Sequence, residues 1–311
     1  MMEELLAQTP YCYQWSPMWS LAHASFDLGD LKKAEAWFGS SLERAVESGT
    51  LHAQADNLRW LSRIAEHRGD YDRAMALLER SQGLFRQVGF TNRLPLVSWQ
   101  MSLAAWRHAD FEDAARHAQR ALDLAGRHGW GDEAALAHLV LALVACEQGA
   151  YDRAEALCAG ALDDLPDDHP YGLGLASSAL ARVALSLGDP ARAVDLSREA
   201  LGCMRRHRRR PNIVEAAELL AWTLAADGHA DAAARLLALA ARERDAMGKI
   251  LAPVDRPYHE RAVCTVREAL DEATFEESWA LGEGLDLDEA IAFALPEETA
   301  SDACTKVEPE S

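Results

Sequence analysis

The sequence predicts an all-α fold: a right-handed superhelical solenoid of about six helical hairpins, followed by a C-terminal helical cap. Three observations lead to this prediction. Alanine, leucine, arginine and glutamate dominate the composition, while strand-forming residues are sparse. A short turn motif recurs about every 40 residues, and columns of small and large apolar residues keep fixed distances from it. Such a periodic chain needs no single large core, because each repeat packs only on its neighbours.

The turn motif separates the two helices of each predicted hairpin. It is a glycine in most repeats, followed in most repeats by an aspartate. Successive turns are 40, 40, 40, 39 and 40 residues apart, and they are Gly29-Asp30, Gly69-Asp70, Ala109-Asp110, Gly149-Ala150, Gly188-Asp189 and Gly228-His229. Glycine suits the left-handed backbone that ends a helix. Aspartate suits the N-cap of the next helix, where its carboxylate accepts from free backbone N–H groups.

Small side chains flank each turn at constant offsets. Seven residues before the turn stand Ala22, Ser62, Ser102, Ala142, Ala181 and Ala221. Five residues after its start stand Ala34, Ala74, Ala114, Ala154, Ala193 and Ala233. A large apolar residue precedes each member of the first column, as Leu61 precedes Ser62. Facing small residues let two helix axes approach closely, while the large residues fill the adjacent grooves.

This order of large, small, turn, aromatic and alanine residues resembles the tetratricopeptide repeat. Leu61-Ser62, Gly69, Tyr71 and Ala74 illustrate it, and the resemblance covers roughly residues 15–245. The period is longer than the roughly 34 residues usual in that family. The resemblance implies a superhelix whose concave face, formed by the first helix of each hairpin, binds a partner.

The C-terminal part predicts a cap and a tail. We expect the repeat solenoid to occupy residues 1–249, three capping helices to occupy 250–295, and a disordered acidic tail to occupy 296–311. Asp286 and Glu289 have the spacing of a capping box at the start of the last helix. With the 40-residue period, this ending resembles the C-terminal repeat region of large actinobacterial signal-transduction ATPase regulators of the LuxR and antibiotic-regulatory types. That resemblance implies either the sensor part of a longer regulator or a stand-alone relative.

Several function classes are disfavoured by the sequence. The formal net charge of −19 disfavours direct binding to nucleic acid or to an anionic membrane. No phosphate-binding G-x-x-x-x-G-K-[ST] motif occurs, and the glycines at 172, 174, 282 and 284 are predicted to lie in loops. The scattered cysteines and histidines predict no metal site, and no motif indicates a cofactor or an enzyme. A cytoplasmic location is expected, because no apolar run reaches the length of a membrane span.

The inner helix face is the first candidate for a binding site. The predicted groove residues are Trp19, His23, Arg59, Trp60, Arg63, Trp99, Trp106, Arg107, Arg182 and Trp222. Tryptophan and arginine are frequent anchors of protein interfaces. Two interpretations are open: these side chains line an open groove, or they pack between adjacent repeats.

A run of arginines is the second candidate. Arg205, Arg206, Arg208, Arg209 and Arg210 cluster in an otherwise acidic chain, just before Pro211. A helix C-terminus favours one or two cations. Five indicate a docking patch for an acidic partner, a nucleotide or an acidic surface of the same chain.

The leading functional hypothesis is therefore a non-catalytic regulatory module that binds a protein, a peptide or a small effector in its concave groove. The alternative is a passive scaffold or oligomerisation domain without a small ligand, and association with further copies of the chain stays open. Ligand stabilisation of the native state would distinguish the two, because a scaffold responds only to its protein partner.

Overall fold

The computed structural model describes residues 15–126 and 131–295, which form fifteen α-helices and no β-strand. Consecutive helices pack against each other in pairs along the described chain. This confirms the all-α prediction and the helical solenoid. Residues 1–14, which the sequence assigns to the solenoid, and the predicted tail over 296–311 lie outside the described residues.

Six hairpins make up the solenoid. They are α1 (Trp15–Asp27) with α2 (Leu31–Glu47), α3 (Leu51–His67) with α4 (Tyr71–Gln87), α5 (Leu94–Arg107) with α6 (Phe111–Gly126), α7 (Gly131–Glu147) with α8 (Tyr151–Asp164), α9 (Pro170–Leu187) with α10 (Pro190–His207), and α11 (Arg210–Ala226) with α12 (Ala230–Met247). Short 3₁₀ turns at Thr91–Arg93 and Pro253–Asp255 precede the next helix in each case. These boundaries agree with the predicted positions of the turns.

The two small-residue columns are buried along their whole length. All twelve side chains are at most 1% exposed. Where the column holds serine, the hydroxyl donates to a carbonyl of its own helix: Ser62 to Arg59 at 2.7 Å and Ser102 to Trp99 at 2.6 Å. A buried serine is therefore satisfied and takes the place of alanine without a penalty for an unpaired hydroxyl.

Turn chemistry explains how each first helix ends and each second helix begins. The turn glycines have φ between 74° and 83°, and Ala109 adopts the same left-handed backbone with φ of 67°. Asp30, Asp70 and Asp189 accept from the backbone N–H of the third residue after them, as predicted for N-caps. Ala150 starts α8 without a side-chain cap.

Three helices follow the sixth hairpin: α13 (Arg256–Ala269), α14 (Glu272–Gly284) and α15 (Leu287–Ala294). The predicted capping box at Asp286 and Glu289 is present. Gly282 lies in α14 and touches the backbone of α12 so closely that a Cβ there would stand 2.2 Å from the carbonyl oxygen of Arg235. The prediction of loop glycines was thus wrong, since Gly172 and Gly174 also lie inside a helix, α9. In α14 the missing side chain permits close helix packing.

The solenoid closes on itself. We call the contacts between its ends the closure seam; it joins Asp27, Gly29, His67 and Gly69 of the first two hairpins to Arg209, Met247 and Ile250 near the last. The Ile250 N–H donates to the His67 carbonyl at 2.9 Å, and the Ile250 side chain lies against the Gly69 turn. Val214 of α11 shares an apolar cluster with Ala22 of α1. The chain therefore forms a ring with an interior instead of an open concave surface.

Candidate functional site

The predicted groove residues lie together on the inner side of the ring, and most are buried. The exposed fractions are 5% for Trp60, 4% for Trp99, 5% for Trp106, 3% for Trp222, 9% for Arg59, 4% for Arg63, 8% for Arg107 and 5% for Arg182. Trp19 and His23 of α1 are half-buried. This burial matches packing between repeats better than it matches a groove open to solvent. Ligand binding by these residues stays a prediction.

Arg182 of α9 occupies the middle of one half of the interior. Its guanidinium carbon lies 5.2 Å from the centre of the Trp106 ring, 5.4 Å from that of Trp222 and 4.8 Å from that of Tyr258. It also forms ion pairs with Asp255, and with Glu147 at 3.6 Å. Such cation–π contacts gain strength where water is excluded. Arg182 thereby joins α5, α7, α11 and the segment leading into α13.

Arg107 connects the second hairpin to the sixth. Its two terminal nitrogens donate to Glu66 and Glu215, each at 2.7 Å, and Lys249 lies 2.6 Å from Glu215. Burial alone would raise the pKa of Glu215, but Arg107 and Lys249 outweigh it and hold the pKa below its ordinary value. The charges of this half of the interior are therefore closely matched.

The indole groups of the interior have no polar partner. The Nε1 atoms of Trp19, Trp60, Trp99, Trp106 and Trp222 are buried, and none has a hydrogen-bond acceptor among the described residues. Unsatisfied buried donors are uncommon, and each calls for an explanation such as water, an ion or a ligand.

A cavity of about 60 Å³ lies beside two of these rings, Trp106 and Trp222; Tyr171, Arg182 and Asn212 also contribute to its wall. Pockets for drug-sized ligands measure roughly 300–1,000 Å³. This cavity is therefore too small for a drug-sized ligand or a peptide.

The arginine run divides into two parts. Arg209 donates to Asp27 at 3.1 Å and Arg210 to Glu243 at 2.8 Å, so these two bind acidic groups of the same chain. Arg205, Arg206 and Arg208 are exposed at the end of α10 and the turn after it. Arg208 adopts the left-handed backbone, with φ of 62°. Docking of an external acidic partner here stays a prediction.

The sequence reasoning missed several residues that complete the interior. They are His67, Tyr171, Glu215, Lys249 and Asp255. Glu66 has the inner-face spacing with Arg59 and Arg63, i, i+4 and i+7, although it was not among the predicted groove residues. Glu215 of α11 was not among the inner-face positions.

The comparisons with known proteins agree with this architecture. Residues 100–169 match the family model described as tetratricopeptide repeat. They include the turn at Ala109 and the turn at Gly149, with the helices on both sides. Over this stretch the chain is similar to the tetratricopeptide repeat.

Three mycobacterial proteins are also similar to this chain, one from Mycobacterium bovis and two from strains of Mycobacterium tuberculosis. All are provisionally named HTH-type transcriptional regulators. Each is 33% identical over 114 residues, which is 37% of this chain and 13% of the relative. The matched stretch thus spans only about an eighth of each relative, and the activity of those whole proteins does not pass to this chain by similarity alone.

The tetratricopeptide repeat is a non-catalytic interaction fold. Among residues 15–126 and 131–295, no group of three or more histidine, cysteine, aspartate or glutamate side chains could hold a metal ion. Over the same stretches, none of the helices combines the length and hydropathy that crossing a membrane requires.

Proposed function

We propose that this chain is a non-catalytic regulatory interaction module, the sensor part of a transcriptional regulator, and that its concave interior binds a protein, a peptide or a small effector. The repeat family and the names of the mycobacterial relatives support the regulatory role. The closure seam supports the binding part of the proposal, because opening or closing this contact would change access to the ring interior.

A seam of this kind suits regulation for an energetic reason. A ligand shifts an equilibrium between two conformations only through its different affinity for them. Here the closed ring has a cavity of about 60 Å³, so a bulky ligand would bind only the open ring. A small ligand that contacts both ends would instead favour the closed ring. Either change alters the surface that the ends of the solenoid present to a neighbouring domain or protein.

The test weakens the seam and leaves the hairpins intact. The variant Met247→Ser with Ile250→Ser removes the side chains that lie against the Gly29 and Gly69 turns. The matched control, Leu187→Ser with Leu281→Ser, removes two apolar side chains that are 54% and 48% exposed. We expect small-angle X-ray scattering to show a larger radius of gyration for the seam variant only, with unchanged helicity.

The regulatory part is tested in the cells that produce the protein. Cells carrying the seam variant should differ in their transcript profile from cells carrying the wild type, and the control variant should not. A seam variant that expands and yet leaves every transcript unchanged would contradict the proposal and favour a passive scaffold.

A further inference from the structure

One half of the ring interior contains more positive than negative charge. Arg63 of α3 lies with its guanidinium carbon 5.9 Å from the centre of the Phe26 ring, and that of Arg209 lies 5.0 Å from the Trp60 ring. The His23 ring is 4.3 Å from the Trp60 ring. We call Arg63, Arg209, His23, His207 and Trp60 the arginine pocket. Its members come from α1, α3 and the end of α10, so the pocket forms at the closure seam.

Arg63 differs from the other buried arginines in forming no ion pair with any acidic side chain of residues 15–126 and 131–295. It is 4% exposed, and its Nε and Nη2 atoms have no hydrogen-bond acceptor among the described residues. Arg107 and Arg182, by comparison, each contact two carboxylates. A buried guanidinium without a counter-charge is strongly unfavourable.

The neighbouring histidines report the same excess of positive charge. Burial, reinforced by Arg209 and Arg63, lowers the pKa of His207 to about 3. Burial, reinforced by Arg209 and Arg59, lowers the pKa of His23 to about 4. Asp27 at Arg209 and Asp56 at Arg59 have side chains that are 42% and 23% exposed. The buried Glu66, one turn from Arg63 on α3, pairs with Arg107, as does Glu215.

The pocket also has unused hydrogen-bonding atoms. The Nε2 atoms of His23 and His207 and the Nε1 atom of Trp60 are buried without a partner among the described residues. A neutral imidazole can donate through one nitrogen, and an indole always donates. Several donors around an unpaired guanidinium are the arrangement that recognises an oxyanion, because the planar guanidinium binds carboxylate or phosphate with two parallel hydrogen bonds.

We propose that the arginine pocket binds a small molecule through a carboxylate or phosphate group, with Arg63 as its principal contact. The proposal deepens the proposed function and rests on it in one respect, that the anion is the effector. Because Arg63 and His23 belong to the first hairpins and His207 and Arg209 to the region before the last, a bound anion would favour the closed ring.

The experiment measures melting temperature and binding heat for the full chain. Sodium phosphate and sodium succinate are the probes, and sodium chloride at the same ionic strength is the reference, because salt alone screens charge. We expect one probe to raise the melting temperature of the wild type in a saturable manner. Arg63→Met should weaken binding by about tenfold or more, since it removes a charge-assisted contact. Arg116→Met, which breaks only an exposed ion pair, should bind as the wild type does.

Stability without the probe separates a ligand-binding residue from a structural one. In chloride, Arg63→Met should melt no lower than the wild type, because it removes an unpaired buried charge. If the methionine variant does not fold, Arg63→Lys gives the second measurement: it keeps the charge, loses the planar fork and should still weaken binding. Equal stabilisation of wild type and Arg63 variants by the probes, or no stabilisation beyond that of chloride, would overturn the proposal.

The two probes also identify the chemistry. Stabilisation by phosphate alone indicates a phosphate-bearing ligand, and stabilisation by succinate alone indicates a carboxylate. If neither anion binds, the arginine pocket proposal fails, and the seam variant still tests the proposed function independently. Binding of an anion together with unchanged transcripts in the seam variant would support the pocket and contradict the regulatory role.

Discussion

The hairpin contacts and the ring interior are both buried, but different chemistry builds them. Inside a hairpin, small residues such as Ala145 of α7 and Ala154 of α8 share an apolar cluster, and the two residues are close in sequence. In the interior, Arg107 reaches Glu215 over 108 positions of the sequence, and Arg209 reaches Asp27 over 182. The first kind of contact repeats with the period of the chain, whereas the second occurs once.

The two kinds of contact therefore contribute differently to the stability of the fold and to the closure of the ring. Apolar contacts that recur in every hairpin add favourable terms repeat by repeat. Buried ion pairs contribute little net stability, because desolvation offsets their attraction, yet removing one partner is costly. We infer that the hairpins provide most of the stability of the fold, while the charged interior determines which ends meet.

The largest expected effect comes from breaking the interior at Arg107. Arg107→Met should destabilise the protein by about 3–5 kcal/mol, because it leaves Glu66 buried without its counter-charge and removes one of the cations around Glu215. Denaturant unfolding followed by circular dichroism measures this. Arg116→Met is the matched control: its ion pair with Asp113 is exposed, so the change should stay below about 1 kcal/mol. Equal losses in the two variants would show that the interior ion pairs are no more important than surface ones.

A pH titration tests the interior as a whole. The pKa values of His23, His67 and His207 are all lowered, mainly by burial, from an ordinary value of 6.5. At these three residues the unfolded chain therefore binds more protons than the folded chain just below that value, so they make stability fall as the pH is lowered from 6.5 toward about 5.

Thermal melts at constant ionic strength should show this loss. His207→Gln should lose less stability over the same interval, since one of the contributing groups is gone. A melting temperature that does not change between these pH values would mean that the histidines are open to solvent.

The hairpin contact can be broken at Ala154, which is fully buried next to Ala145, Cys146 and Val183. Ala154→Leu should cost about 1–3 kcal/mol, because the added atoms force the two helices apart. Asp152→Ser, two positions away and exposed, should cost far less. Similar melting temperatures for the two variants would contradict the repeat register.

The sequence predicted the hairpin contacts better than it predicted the ring interior. The small-residue columns, the turns and the capping box follow local rules, and the structure confirms them. The inner face was predicted from helical spacing, but its burial was not. Closure depends on contacts such as that of Ile250 with Gly69, which do not repeat with the period of the sequence. One periodic signal was overlooked. Gly49 and Gly89 have left-handed backbone between hairpins, Gly248 has it after the sixth hairpin, and Arg208 occupies the same register.

The smallest expected effect is at the turn of the third hairpin, where Ala109 stands in place of the glycine found in the other turns. Ala109 is exposed and adopts φ of 67°, a conformation unfavourable for a residue with a Cβ. Ala109→Gly should therefore stabilise the protein by about 0.5–1 kcal/mol, since relief of the strained backbone outweighs the greater freedom of glycine in the unfolded chain.

The reverse change in the next hairpin is the matched control. A Cβ at Gly149 would meet no atom within 4 Å, so Gly149→Ala introduces the same backbone strain without a clash. We expect it to destabilise by a similar amount, about 0.5–1 kcal/mol, and the double variant to unfold close to the wild type, because the two turns lie in separate hairpins. Calorimetric melts of the three variants measure both signs. If Ala109→Gly destabilises, the turn at Ala109 contributes more than its backbone conformation, and the repeat rules would need a further contact there.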